Sequence, residues 1–173
     1  MSLLPALPTE DDLPSGLRLD REVSHLQIAE IARESEDAAE YERLLRQWGY
    51  TRGAAREFLY PNPGLVEFLT RVLAFDARVM EFASAAHATD AIEYQRDSAL
   101  SRPDWRLSET DVERIGDASI ALTGTADFEG MEVRVSAIFV RDGDVVYRFV
   151  AISGGYDAFG DAVNVARVVV ARN

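Results

Sequence analysis

His87, Asp90, Glu93, Tyr94 and Asp97 fall in one stretch that opens after Ser84, with spacings of three and four linking His87, Asp90 and Tyr94 or Asp97. On a helix such spacings align side chains along roughly one face. Imidazole with carboxylates suits zinc or manganese, so His87, Asp90 and Glu93 define a candidate metal site. The function that follows is a metal-binding protein or a metal-assisted hydrolase. The plainer reading is a solvated acidic face, and the His-Glu-x-x-His pattern of zinc proteases is absent. A second candidate is Arg148, a charge in an otherwise apolar run. It would contact an anion or carboxylate in a pocket, or else snorkel to the sheet edge or pair with a nearby acid. Trp48, Tyr50 and Trp105 could line a ligand pocket with it, although aromatics at helical spacing are more often core.

Other chemistries are excluded by what is missing. There is no cysteine, hence no thiol nucleophile, disulfide or cysteine-based metal centre. Every basic residue is arginine, which removes Schiff-base chemistry and any phosphate-loop lysine. No serine sits in a Gly-x-Ser-x-Gly elbow, and only His25 and His87 could serve a catalytic triad. Thirty acids make chance carboxylate pairs common, so glycoside hydrolysis has no specific signal. Ser153-Gly154-Gly155 could offer amides to an anion, but lacks the spacing of a dinucleotide fingerprint and reads as a reversal turn. No cofactor is expected. A formal net charge of −12 repels phosphate backbones and anionic lipid, which argues against nucleic-acid partners. No apolar run approaches the roughly 18 residues of a spanning helix, so the chain is not expected to insert into a membrane.

These residues must be positioned by a sheet and its helices. The clearest element is a hairpin from Met131 to Ile152, turning at Asp142-Gly143 between β-branched and aromatic runs. A two-residue loop there sets Arg141 opposite Asp144 and Phe139 opposite Val146. Both faces of the hairpin are apolar near the turn, which predicts cover on both sides, by helices or by a partner. A homodimer through Ile138, Val140, Val145, Tyr147 and Phe149 is one form of such cover.

Residues 1–16, with Pro5, Pro8, Pro14 and an acidic cluster, read as a flexible lead-in to a single domain over 17–173. Leu17-Arg18-Leu19 predicts a short edge strand. Glu22 to Gly49 predicts two helices, the second capped by Ser35 and stopped by Gly49. Ala54 to Tyr60 is a strand candidate, closed by the Pro61-Asn62-Pro63-Gly64 turn. Residues 65–75 fit either helix or strand, with a strand expected from about Arg71 to Phe82. A helix from Ser84 or Ala85 to about Ala99 follows, then a loop carrying Trp105 and a strand over Ala118 to Thr125. Asp127-Phe128-Glu129-Gly130 makes a turn, and a C-terminal helix begins near Asp157 with Phe159, Val163, Ala166 and Val170 as its stripe.

Five segments, in order, carry a family resemblance: Leu13-Pro14-Ser15-Gly16-Leu17, Leu45-Arg46-Gln47-Trp48-Gly49-Tyr50, Phe82-Ala83-Ser84, Ile115-Gly116-Asp117-Ala118, and the hairpin tip Arg141-Asp142-Gly143-Asp144-Val145-Val146. Together they resemble uncharacterised exported or lipid-anchored domains of high-GC bacteria, some of them similar to the Mog1/PsbP-like α/β/α sandwich. The resemblance implies an antiparallel sheet flanked by helices on both faces and an extracytoplasmic setting. It supplies no catalytic residues, and the chain has neither the lipobox cysteine nor the signal such proteins often carry. Met1-Ser2-Leu3 is compatible with a scar standing where a signal was. The expected function is an extracytoplasmic binding or protein-interaction module without catalytic activity, for a small-molecule or protein partner.

Overall fold

The computed structural model describes residues 2–173. Its strands are β1 (Arg18–Val23), β2 (Arg52–Leu59), β3 (Val72–Glu81), β4 (Trp105–Thr110), β5 (Ala118–Phe128), β6 (Met131–Asp142) and β7 (Val145–Ser153). The helices are α1 (Ile28–Ala32), α2 (Ala38–Gln47), α3 (Leu65–Thr70), α4 (Ala85–Ser101) and α5 (Phe159–Ala171). All seven strands form one antiparallel sheet in the order β1-β2-β3-β7-β6-β5-β4. The β6–β7 hairpin therefore lies inside the sheet, as two-sided apolarity requires.

Alternation along those strands divides the core in two. Ile138, Val140, Tyr147, Phe149 and Ala151 share one face with α5, whose Ala162, Val165, Ala166 and Val169 are buried against it. Val135, Ala137, Phe139 and Val146 share the other face with Ile31 of α1, Tyr41 and Leu45 of α2, and Ala88, Ala91 and Ile92 of α4. Of the two forms of cover expected for the face with Ile138, Val140, Tyr147 and Phe149, helices or a second copy, α5 of the same chain supplies the first.

The hairpin turn sits one residue later than expected. Asp142 pairs with Val145, which leaves Gly143-Asp144 as the loop and sets Phe139 opposite Arg148 rather than Val146. Gly143 has φ +58°, and no positive φ occurs at Asp144, so the glycine takes the first central position as a type II′ turn demands. The Asp117 carboxylate holds that choice, accepting from the Gly143 amide at 2.9 Å and from Arg141 Nη1 at 3.0 Å. Sliding the turn by one residue moves each pairing by two, so the assignment of faces survives.

Several boundaries differ for local reasons. Residues Glu22 and Val23, expected to be helical, end β1. The N-cap of α2 is Asp37, accepting from the Glu40 amide at 3.0 Å, because Ser35 is drawn instead to the Tyr94 hydroxyl at 3.0 Å. Gly49 does end α2: its amide reaches the Arg46 carbonyl, and the Tyr50 amide reaches that of Leu45. Residues 65–70 are helical, with Leu65, Val66 and Leu69 exposed, and the expected strand follows. Trp105 opens the edge strand β4 rather than lying in a loop. Ser84 caps α4, accepting from the His87 amide. Ala158 caps α5, with Asp157 reaching the Phe159 amide. Among the described residues no helix is long and apolar enough to cross a membrane.

The segment expected as a flexible lead-in packs onto the domain. Its 3-10 turns Leu4–Ala6 and Glu10–Asp12 place Leu7, 1% exposed, and Leu13 in the α5-side core. Arg172 fixes it, donating to Asp12 and to the Leu7 carbonyl. Leu7→Ala should therefore lower stability by about 2–3 kcal/mol, read as a reduced midpoint in urea unfolding; a true tether would leave the midpoint unchanged.

Candidate functional site

Two arginines face each other in the middle of the sheet. Arg78 of β3 lies directly opposite Arg148 of β7, on the face covered by α1, α2 and α4. Like charges directly opposed across strands repel, so the pair needs anions. Asp76, two residues back on β3 and hence on the same face, supplies one. It accepts from Arg148 Nη2 at 2.6 Å and lies 3.5 Å from Arg78 Nε. Glu34, in the loop between α1 and α2, supplies the other, accepting from Arg148 Nη1 at 2.9 Å and pairing with Arg78 Nη2. Burial alone would raise the Asp76 carboxyl, but Arg148 and Arg78 outweigh it and hold Asp76 below the usual carboxylate range. Burial likewise opposes the charge on Arg148, and Asp76 and Glu34 more than restore it.

Beside this quartet the helical layer stands off the sheet, leaving a cavity of about 420 Å³. Met80, Ala137, Phe139 and Val150 make its strand-side floor, and Tyr94, Gln95, Ser98 and Ala99 of α4 form one wall. Arg33, Glu34 and Ser35 cover it from the loop, with Ile31 and Tyr41 beside them. Short side chains at Ala99 and Ala137 leave the space unfilled. Tyr41 stacks on Tyr94 at 4.5 Å between ring centres, and Trp48 packs edge-on against both. At the far end Arg102 lies over the Trp105 ring, 4.5 Å from its centre. Burial pushes the Tyr41 phenol up, so it enters the site as a neutral hydroxyl.

Gln95 is the least settled group here. It is 8% exposed, and neither its Oε1 nor its Nε2 has a hydrogen-bond partner in the protein. A buried amide left without partners costs roughly 1–3 kcal/mol for each unsatisfied group. Such a group at a cavity wall is met by water or by a ligand.

Of the residues singled out in the sequence, Arg148 and Trp105 reach this cavity. Trp48 stands behind its tyrosine wall, and Tyr50 is elsewhere, donating to the Leu26 carbonyl at 2.7 Å. His87, Asp90 and Glu93 do not assemble. Asp90 and Glu93 project into solvent, and among the described residues no three histidine, cysteine or acidic side chains stand close enough to hold a metal ion. Two successive steps of three carry Glu93 roughly 9 Å along α4 from His87 and about 120° around it, so the three side chains do not converge. Residues 34, 76, 78 and 95 escaped notice in the sequence. Asp76 and Arg78 carried a usable signal, two charges at every second position of an otherwise apolar strand.

The chain is thus an α+β domain: a seven-stranded antiparallel sheet with helices packed against it and a polar-lined cavity on one face. No protein-family model matches it, and no curated protein matches it in sequence. Among solved structures it is similar to the extracellular domain of PknH from Mycobacterium tuberculosis, with a TM-score of 0.61 at 12% identity. The similarity covers 97% of this chain and 94% of that one, and is one of fold.

The ion quartet predicts a pH dependence. Because folding lowers the Asp76 value beneath its ordinary 3.8, its carboxylate stabilises the fold at neutral pH, and that contribution is lost as pH falls through the folded value. Asp76→Asn should cost about 3 kcal/mol at pH 7, since it leaves Glu34 alone to balance the two guanidiniums. The difference from the unaltered protein should begin to shrink as pH falls below the ordinary value of 3.8, where the unfolded chain takes up its proton, and close only once pH has passed through the lower folded value. Urea unfolding at pH 7 and down through that range measures both effects.

Proposed function

We propose that the chain is a non-enzymatic, extracytoplasmic binding domain that takes a small organic molecule into the cavity beneath the α1–α2 loop. The observation that carries this is the unpartnered, buried amide of Gln95 in the wall of a space of about 420 Å³. Ligand sites commonly occupy roughly 300–1,000 Å³, mostly apolar with a few placed polar groups. Aromatic and aliphatic surface from Tyr41, Tyr94, Met80 and Phe139 supplies the apolar part here.

Binding is favoured over catalysis because both carboxylates at the cavity are committed to arginines. Asp76 and Glu34 hold Arg78 and Arg148, which leaves neither carboxylate free as a base. An extracytoplasmic setting is supported by the resemblance to exported domains and by a shared fold with an extracellular domain. The same layering of helices over a sheet is what the Mog1/PsbP-like resemblance leads one to expect.

A thermal-shift screen of small aromatic acids, amides and alcohols tests the proposal. A compound at about a hundred times its Kd stabilises by about 2.7 kcal/mol, a rise in Tm of roughly 5–10 °C for a chain of this length. Gln95→Leu should abolish or weaken that rise while leaving a cooperative transition. No rise with any class of compound would overturn the proposal.

A further inference from the structure

Glu34 holds the place that a ligand's acid would take. The strands themselves fix Arg78, Arg148 and Asp76, which together leave one positive charge in excess. That excess is neutralised from outside the sheet, by one side chain on the α1–α2 loop. Glu34 is 37% exposed at its side chain, against 22% for Asp76. Its carboxylate spans Arg148 Nη1 and Arg78 Nη2, a seat for a planar anion facing the cavity. We propose that the natural ligand is an amphipathic monocarboxylate whose acid group displaces Glu34 from this arginine pair and thereby releases the loop. The inference rests on the cavity being a binding site and adds the chemistry of its occupant.

Three features of the site select that class. Charge is the first: four of the lining residues are arginines and two are acids, on a chain whose net charge is −12. Arg33 at the rim extends the positive field outward to meet an arriving anion, while Arg102 beside it is paired with Asp104. The stoichiometry of the seat is the second. One surplus charge matches a carboxylate, whereas a doubly charged phosphate would leave one negative charge uncompensated. The body of the cavity is the third. The flat wall of stacked Tyr41 and Tyr94 above Met80 and Phe139 accepts an aromatic or short aliphatic group, and Gln95 stands ready for a polar substituent on it.

Exchanging one carboxylate for another is nearly neutral in Coulomb energy, so net affinity comes from the ligand's apolar body and from pairing Gln95. The freed Glu34 passes into water at little cost, because it is already part exposed. Loosening of the loop is then tied to occupancy. Ser35 on the Tyr94 hydroxyl still ties the loop to the wall.

Phenylacetate, its neutral isostere phenylacetamide, and inorganic phosphate separate the possibilities when titrated calorimetrically into the unaltered protein and into Glu34→Gln. We expect phenylacetate to bind more tightly than the amide, and Glu34→Gln to tighten the acid by about tenfold while leaving the amide unchanged. Saturation with phenylacetate should also speed backbone hydrogen exchange over residues 33–37 in the unaltered protein, a readout that needs no variant. Equal binding of acid and amide in both proteins would overturn the exchange of Glu34 while leaving the cavity as a binding site. Phosphate binding as tightly as phenylacetate would overturn the monocarboxylate class in favour of a plain anion site. Binding of none of the three would overturn this inference, and with a blank thermal-shift screen the binding proposal too.

Discussion

Two guanidiniums set side by side in the middle of a β-sheet govern the organisation of this domain. Strand pairing brings Arg78 and Arg148 to opposite positions, and neither can turn to solvent along the strand direction as an edge residue would. Their mutual repulsion is tolerable only with carboxylates within hydrogen-bond reach. Asp76 is placed by the two-residue period of its own strand. Glu34 must be brought by a separate piece of chain, which keeps α1 and α2 as short helices joined by a loop that dips to the sheet. A single long helix across this region would carry residue 34 on its surface rather than deliver it to the arginines.

The same pair explains why the two faces of one sheet differ. On the α5 side the sheet offers mostly apolar side chains around α5, with buried hydroxyls such as Ser136, and the small Ala162 and Ala166 let the helix close upon it. On the other face three charged side chains of the sheet (Asp76, Arg78 and Arg148) cross its middle, where a flush apolar helix would leave the second arginine without the partner that Glu34 supplies. The helical layer leaves a cavity there, and the side chains it turns to that space include Ala99, Ser98, the amide of Gln95 and the phenols Tyr41 and Tyr94. The cavity follows from a charged sheet surface that close apolar packing cannot cover.

How much of this the amino-acid order reveals depends on the range of the interaction. The interior position of the hairpin and the division of its faces were readable, because both follow from a period of two over a dozen residues. The turn was not placed correctly, since Asp142-Gly143 and Gly143-Asp144 satisfy similar dihedral demands, and Asp117, some twenty-five positions away, decides between them. Ser35 was an equally sound local cap until Tyr94 competed for its hydroxyl. Arg148 stood out as a charge in an apolar run, but with thirty acids in the chain its partners could not be named. Residues 34, 76, 95 and 148 meet only once strand order and helix placement are known. Leu7 and Leu13 were hidden by the prolines around them, which signal a lack of regular structure and say nothing about burial.

Stability alone does not account for such a centre. Replacing a partly buried ion cluster with apolar groups of similar volume is often neutral or stabilising, and leaving an amide such as Gln95 unpaired costs free energy outright. A domain that needed only to fold would fill this region with leucine and valine, as it does around α5. Departures from local consistency of that kind collect at functional sites. Here the three departures (opposed arginines, an unpartnered amide and an unfilled space) fall on one cavity, under a loop whose attachment is itself an ion pair. Their coincidence is explained if the cluster is kept for what it binds, because a site with an internal counter-ion discriminates by charge: an acid can replace Glu34, whereas a neutral molecule of the same shape leaves it in place.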